Sequence, residues 1–434
     1  MTNYLYLFKI TEFLIVKNDR TLTTIILAIS SLQGANQMPN TATSTSGIKK
    51  ILLEYHRKSG YAIFESFPMV ARDPTVIFIN ATVTPFKNWF LEPTIVPKDY
   101  ALVQRCLRMG GANELNEVGA NPYYHTFFEM FGSGTFSVDH KEAVSYLFNL
   151  FEALRIDKRR LYFTTPEGDR GFEHALLTHK IKPHRIFTLE SNGVFWGTWR
   201  FGKLGPVGKG LTVIYSRGAR MESLEQAVSS PDEFIELLNF IYIAERETQN
   251  GTTIPIARPG FDLGMGVERL AAVLQGCNNY QIDSMEPLAQ SVLKFGRERN
   301  FNIDEIAVRI VTDHLRAICI LINENIRPGA KRHEYILRKL IRRVLEIMWE
   351  SADRPVHIGI LADTFASHLN RLGIPLKVPA TTITEHVEKE TDGLAEVLRK
   401  SKHAIKRSPG ATPDILKDRY GISPKLMTII SRKE

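Results

Sequence analysis

The sequence predicts an α+β fold, an antiparallel sheet flanked by helices, followed by an all-helical region. Three observations carry that prediction. Short β-rich runs at Val76 to Ile79, Leu161 to Thr164 and Leu211 to Tyr215 are separated irregularly by helical patterns at Ala143 to Leu154 and Asp232 to Ala244. From about Asn302 the apolar spacing turns helical. Strict strand–helix alternation and a G-x-G-x-x-G after a first strand are both missing, which argues against a dinucleotide-binding fold.

In chain order, Gly47 to Gly60 reads as an opening helix carrying Ile51, Leu52 and Tyr55. In the later region Val308, Val311, Leu315, Ile318 and Ile322 share one face. A second helix, Glu334 to about Trp349, is two-sided. Ile336, Leu337, Leu340, Ile341, Val344 and Met348 lie on one side, and Arg338, Lys339, Arg342 and Arg343 on the other. A third pattern spaces Ile383, Val387, Leu394, Leu398 and Ile405 almost as heptads. Residues 1–46 differ. Leu22 to Leu32 is apolar but too short to span a bilayer, and Asn36 to Ser46 reads as a linker. That segment reads as a disordered extension or a targeting leader.

A chain of 434 residues is long enough for two or three domains. Its net charge of +8 favours an acidic partner such as nucleic acid, although charge alone is equally compatible with a merely basic enzyme. Cys106, Cys277 and Cys319 are far apart and form no Cys-x-x-Cys pair, so neither a disulfide framework nor a structural zinc site is expected. A reducing compartment, cytoplasm or mitochondrial matrix, fits that usage. His174, His179 and His184 recur every five residues, which keeps them off a common helical face, and they read as solvated.

The most informative stretch runs from Arg258 to Gly276. It sets a lone carboxylate, Asp262, before what reads as a tight Gly264-Met265-Gly266 turn. Arg269 follows on an apolar helix bearing Leu270, Val273 and Leu274. Glycines let backbone approach a ligand closely, and a helix start offers free N–H groups to an anion. Such a site would take an amine on one side and a phosphate on the other.

The run resembles the third signature motif of class II aminoacyl-tRNA synthetases, and its wording is similar to the alanyl-tRNA synthetase family. Further segments agree in the same order. They are Asp73-Pro-Thr-Val-Ile-Phe-Ile-Asn80-Ala with Pro85-Phe-Lys-Asn, then Gln104-Arg-Cys-Leu-Arg108-Met-Gly-Gly111 with Tyr124-His-Thr-Phe-Phe-Glu-Met130, then Asp313-His-Leu-Arg-Ala317 with Tyr335 to Arg343. The resemblance runs from about Lys49 to about Ile430. It implies a class II antiparallel sheet over 47–298 and a helical tRNA acceptor-stem recognition domain over 299–434.

The implied reaction joins alanine to ATP as an adenylate and passes it to the 3′ end of tRNA. It implies ATP, its Mg²⁺, alanine and tRNA as partners, with no membrane. Arg108 and Arg269 are the implied catalytic arginines, on the α-phosphate and the triphosphate, since a planar guanidinium suits phosphate. Asp262 is placed on the ammonium of the amino acid, and Trp196, Asn239 and Gly264 line its pocket. His125 and Glu129 fall on the segment near the adenine. Arg338, Lys339, Arg342 and Arg343 are placed on stem phosphates and Asp418 on an acceptor-stem base pair.

The chain also departs from the family. The catalytic lysine expected after Gly111 is absent, with Ala112-Asn-Glu-Leu in its place. A Gly-rich loop reads Phe201 to Lys209, with Lys203 or Lys209 as candidate replacement charges, and a following glutamate becomes Thr212. The stem-reading loop reads Pro328-Gly-Ala330-Lys-Arg-His. No editing domain or distal dimerisation region is expected, so a monomer is. Two rival expectations remain. One is a catalytically inactive paralogue serving as an RNA-binding or scaffold subunit, and the other is an enzyme that loads alanine onto another carrier.

Overall fold

The computed structural model describes residues 43–73, 75–109, 114–136, 138–189 and 197–407. Residues 43–407 lie in one compact unit. Helix α1 (Thr45–Lys58) begins where the Ser44 side chain accepts from the Gly47 N–H at 3.1 Å, and it ends on His56, Arg57 and Lys58. Both termini are thus matched to the unpaired groups and dipole of a helix.

Nine strands form one sheet. They are β1 (Ala62–Phe64), β2 (Tyr100–Leu107), β3 (Phe127–Phe136), β4 (Leu161–Pro166), β5 (Ile186–Leu189), β6 (Thr198–Arg200), β7 (Pro206–Ser216), β8 (Phe234–Glu247) and β9 (Thr253–Gly266). The order is β1-β2-β3-β9-β8-β7-β4-β5, with β6 paired to β7. All pairs are antiparallel except β1 with β2 and β4 with β5. The α+β expectation therefore holds.

Three local expectations do not hold. Val76 to Ile79 is no strand. Phe78 makes an isolated bridge to Val70, and the Ile79 carbonyl accepts from the Leu107 N–H at 2.9 Å, docking the segment against the end of β2. Asp232 to Ala244, expected helical, lies mostly in β8. Phe234, Ile235, Leu237, Leu238, Phe240, Ile241 and Ile243 are all buried, so both faces of the strand are apolar and its period of two is hidden. Gly264-Met265-Gly266 is the end of β9 rather than a turn.

One face of the sheet is covered by helices: α1, α2 (His140–Ala153), α3 (Arg170–Thr178) and α4 (Val267–Gln275). Helix α2 opens with a capping box between Asp139 and Glu142. Against these helices lie Phe131, Phe163, Phe240, Phe261, Leu263 and Met265. Each such side chain contributes roughly 1.5–3 kcal/mol by leaving water. The other face is covered near β2 by Val83, Phe86 and Phe90 and near β4 and β7 by Met221 and Ala227, which pack with Tyr162 and Ile214, and the site lies between. His179, expected in solvent, stacks on Phe148 with 4.7 Å between ring centroids and pairs with the Ser145 hydroxyl at 2.9 Å.

The helical region is built around α6 (Glu305–Asn323), preceded by α5 (Glu286–Glu298) and followed by α7 (Arg332–Ala352), α8 (Gly359–Arg371) and α9 (Ala380–Arg407). The expected apolar face of α6 is buried, and so are Asp313, His314 and Arg316. These polar groups meet the sheet. The Thr126 N–H donates to both Asp313 oxygens at 3.0 and 3.1 Å, and His125 Nδ1 donates to Oδ1 at 3.1 Å. His314 Nδ1 donates to Oδ2 at 2.9 Å. Arg316 donates to Glu268 Oε1 at 2.6 Å, and the Glu268 carboxylate accepts from the Glu129 N–H at 3.1 and 3.2 Å.

Burial pushes the Asp313 carboxyl up, but the bonds from His125 and His314 more than offset this and hold it well below the usual carboxylate range. A depressed carboxyl stabilises the fold above its unfolded pKa of about 4, and that stability is lost as pH falls. Asp313→Ala strands a buried N–H and two imidazoles. It should cost roughly 3 kcal/mol or more in chemical denaturation and flatten the acid limb of stability against pH. A loss below about 1 kcal/mol would mean the seam is not stabilising.

Candidate active site

The sheet register aligns two rows of residues across the open face. One row runs Gly210, Ile241, Asp262, Gly134, Tyr100, and the next Thr212, Asn239, Gly264, Gly132, Leu102. Cross-strand partners share a face, so Asp262, Gly264 and Asn239 project to the same side. The glycines decide what can lie there. A Cβ on Gly134 would sit 2.1 Å from Tyr100 Cε1, and one on Gly132 2.1 Å from Thr82 Oγ1. The Tyr100 ring therefore crosses β3 over bare backbone, stacked on Phe86 at 3.8 Å, and its hydroxyl donates to Asp262 Oδ1 at 3.2 Å.

Asp262 is only 4% exposed, and no cation pairs with it among the described residues. Burial lifts its carboxyl to about 7, opposed by the Tyr100 hydrogen bond. Gly264, next on the same face, is partly exposed. A buried acid with one neutral donor beside open backbone can pair with a cation small enough to sit on glycine.

The arginines lie at the end of the sheet where β9 stops. Gly266 precedes α4, and Arg269 sits in its first turn. Arg269 donates through Nε to the Tyr123 carbonyl at 3.2 Å and through Nη1 to the Glu236 carbonyl at 2.9 Å, and its guanidinium pairs with Glu236 Oε2 at 3.1 Å. It also lies over the Tyr124 ring at 5.6 Å. An irregularity in β8 between Leu238 and Glu236 turns Glu236 to the same side as Asn239. The Asn239 amide donates to Glu236 Oε1 at 2.9 Å, while its oxygen accepts from Thr212 Oγ1 at 2.7 Å. Burial raises the Glu236 carboxyl, but Arg269 and Asn239 outweigh this and set it below its ordinary value.

Arg108 follows β2. Its Nε donates to the Asn80 carbonyl at 3.0 Å and its guanidinium lies 5.1 Å from the Phe128 ring centre, on the Asp262 face. Both arginines act electrostatically on Tyr124 and Glu236. The structure thus gathers Arg108, Arg269, Asn239, Gly264 and Asp262 along one strip, with cations at one end and an acid at the other.

Other expected site residues lie elsewhere. β3 alternates, so Glu129 is on the opposite face from Met130 and Asp262, clasped by Lys49 at 2.9 Å. His125 is 3% exposed at its side chain, with Nδ1 on Asp313 and Nε2 accepting from Asn279 at 2.9 Å, so neither ring nitrogen is open to a nucleotide. Lys209 pairs across strands with Tyr242, on the face away from Asp262, and Lys203 is exposed before β7. On α7, Arg338 and Arg342 share Glu390 at 3.1 and 3.6 Å, Arg343 donates to the Leu115 carbonyl at 2.9 Å, and Lys339 is exposed. Trp196, Asp418 and the segment 110–113 lie outside the described residues. Tyr100, Tyr124 and Glu236 were not anticipated. Among the described residues no group of three or more His, Cys, Asp or Glu is set to hold a metal.

The profile of the family described as tRNA synthetases class II (A) matches residues 47–426, and the chain belongs to that family. Within it, the chain is similar to alanine–tRNA ligases. It is 28% identical over 410 residues to that of Hydrogenovibrio crunogenus, covering 90% of this chain and 47% of the relative. It is 30% identical over 372 residues to that of Legionella pneumophila, covering 83% and 40%. It is 30% identical over 418 residues to that of Stenotrophomonas maltophilia, covering 90% and 46%. The chain therefore spans under half the length of these relatives.

Gly134→Ala should destabilise the protein by about 1–3 kcal/mol through its clash with Tyr100. In a double-mutant cycle with Tyr100→Leu, the two changes should couple by about 1 kcal/mol or more. Additive effects would show that the ring does not depend on the bare backbone of β3.

Proposed function

We propose that the chain activates alanine with ATP and transfers it to the 3′-terminal adenosine of tRNA(Ala). The observation that carries this reading is Asp262, buried without a cationic partner among the described residues, on a glycine-lined strip that ends at two arginines. In this reading residues 47–298 form the aminoacylation domain and 299–434 a helical domain for the acceptor stem, working as a monomer in the cytoplasm or mitochondrial matrix.

Asp262 receives the ammonium, its ionised form favoured by the Tyr100 hydroxyl against the effect of burial, and the small side chain lies toward Asn239 and Gly264. The amino-acid carboxylate then points along the strip to Arg108 and Arg269. Its oxygen attacks the α-phosphorus of ATP, forming the acyl–phosphate bond as the bond to pyrophosphate breaks. The arginines offset the repulsion between the two anions and stabilise the charge that develops. Arg269 is pre-set for this because Glu236 and the Tyr123 carbonyl fix its plane. Mg²⁺ would arrive with the triphosphate and shield its leaving charge. In the second half-reaction a ribose hydroxyl of the tRNA attacks the acyl carbon and AMP departs.

Alanine-dependent exchange of pyrophosphate into ATP tests the reading. Exchange should occur in the parent and fall by at least about a hundredfold in Asp262→Ala, the loss of a buried charge-assisted contact plus its positioning. No exchange, with tight tRNA binding retained, would favour a scaffold. Exchange without charging of tRNA would point to another carrier.

The pH dependence follows from the same geometry. The free protein binds the ammonium through ionised Asp262, so kcat/KM for alanine should rise with pH through about 7. Tyr100→Phe removes the donor that favours the ionised form. Its rise should move to higher pH, with a several-fold higher alanine KM at neutral pH, recovery in alkali and no change in the KM for ATP. A pH-independent defect would reduce Tyr100 to packing.

A further inference from the structure

A second cationic feature lies on the same end of the sheet and is used by none of the chemistry above. A recess of about 420 Å³ opens where β4 and β5 begin and β7 ends, lined by Arg159, Arg160, Tyr162, His184, Arg185 and Arg220 among others, with no Asp or Glu in the lining. Two 3₁₀ turns, Lys158–Arg160 and Pro183–Arg185, deliver most of these cations.

The arginines are not equivalent. Arg159 pairs with Asp157 at 2.9 Å and Arg220 with Glu222 at 3.0 Å. Arg160 and Arg185 form no ion pair among the described residues. Arg160 donates to the Arg217 carbonyl at 2.8 Å, and Arg185 to the Leu161 carbonyl at 3.2 Å. Their guanidinium groups lie over Tyr215 at 6.0 Å and Tyr162 at 4.7 Å. Neutral carbonyls and ring faces fix these groups without cancelling their charge, leaving positive potential directed at an acid-free hollow.

We propose that this recess holds backbone phosphates of a paired RNA stem. The positive field continues past it through the exposed Lys158, Lys180 and Lys182, which suits a polyanion better than a single phosphate. Arg185 lies over the Tyr162 ring, and four arginines on one acid-free hollow favour a duplex met through its phosphates. The topology places it usefully. β3 starts, β9 stops, β7 stops and β4 starts along one rim. The recess lies four strand spacings from β3, about 19 Å. The amino-acid strip on β9 and β8 falls between the recess and the helical region that meets β3. A contact chain joins the two. Arg269 donates to the Tyr123 carbonyl, Arg217 donates to the Tyr123 hydroxyl at 3.1 Å, and Arg160 donates to the Arg217 carbonyl. An RNA end reaching the strip would thus meet cations on the flank away from α7. This rests on the RNA half of the proposed function, at a separate site.

The test is the salt dependence of binding a short RNA hairpin to the full chain, compared among the parent, Arg160→Ala/Arg185→Ala and Arg160→Lys/Arg185→Lys. The alanine variant should bind several-fold more weakly, with the slope of log K against log salt less steep by about 1–2. The lysine variant should keep the parent slope, and hairpins of unrelated sequence should respond alike. Equal slopes in parent and alanine variant would overturn the proposal. So would loss of inorganic tripolyphosphate binding with hairpin binding unchanged, which would make this a small-anion site. Alanine-dependent pyrophosphate exchange should be unaffected in both variants. Its absence from the parent would defeat amino-acid activation and leave the slope comparison standing.

Discussion

Two charged side chains sealed inside one helix, Asp313 and Arg316, set the register on which everything else rests. Asp313 takes the N–H of Thr126 and so fixes where β3 begins. Arg316 takes Glu268, which takes the N–H of Glu129 and lies one residue before Arg269. Helix α6 thereby holds both the start of β3 and the first turn of α4. A slip of one residue in β3 would turn Met130, Gly132 and Gly134 away from Asp262 and bring Glu129 onto its face. Such a seam is costly to bury and costly to break, so its value lies in specifying one alignment.

Given that alignment, the chemistry of the strip is a problem of solvation. A carboxylate removed from water is unstable without a partner, and among the described residues its partner is a single phenol. The arginines face the opposite problem. Glu236 and backbone carbonyls tether Arg269, while Arg108 has a carbonyl and a ring. Among the described residues one end of the strip lacks a cation and the other carries positive charge in excess of its acids. A zwitterion joined to a phosphate complements both.

Much of this was legible in the sequence where the information is local. Asp262, Gly264 and Arg269 stand within eight positions of one another, and their order alone suggested an amine site beside a phosphate site. The glycines were harder, because a residue without a side chain serves a turn and a close approach equally well, and here they continue a strand. β8 was misread because burial on both faces erases alternation. His125 and Glu129 were expected near the adenine by resemblance, yet Glu129 points away from Asp262 because neighbours along a strand alternate, and His125, just before β3, is taken up by Asp313 and Asn279. Tyr100 could not be read at all, since its reach depends on Gly134 in another strand. The arginines of α7 were expected on stem phosphates, but amphipathicity shows which side is apolar, not whether a second helix supplies an acid to the polar side. Here α9 supplies Glu390.

The sheet finishes at β1, three residues long, and at β5, four residues long. Beyond the three residues that β1 covers, β2 is bordered by an irregular segment in which the Ser66 hydroxyl accepts from the Arg105 N–H at 3.2 Å and the Ile79 carbonyl from the Leu107 N–H at 2.9 Å. A stray extended peptide finds only a few consecutive hydrogen-bonding positions at either border, too short a template for recruiting further chains. A wide sheet of apolar strands is thus shielded from edge-to-edge assembly by shape alone, without calling on charged residues that are engaged elsewhere.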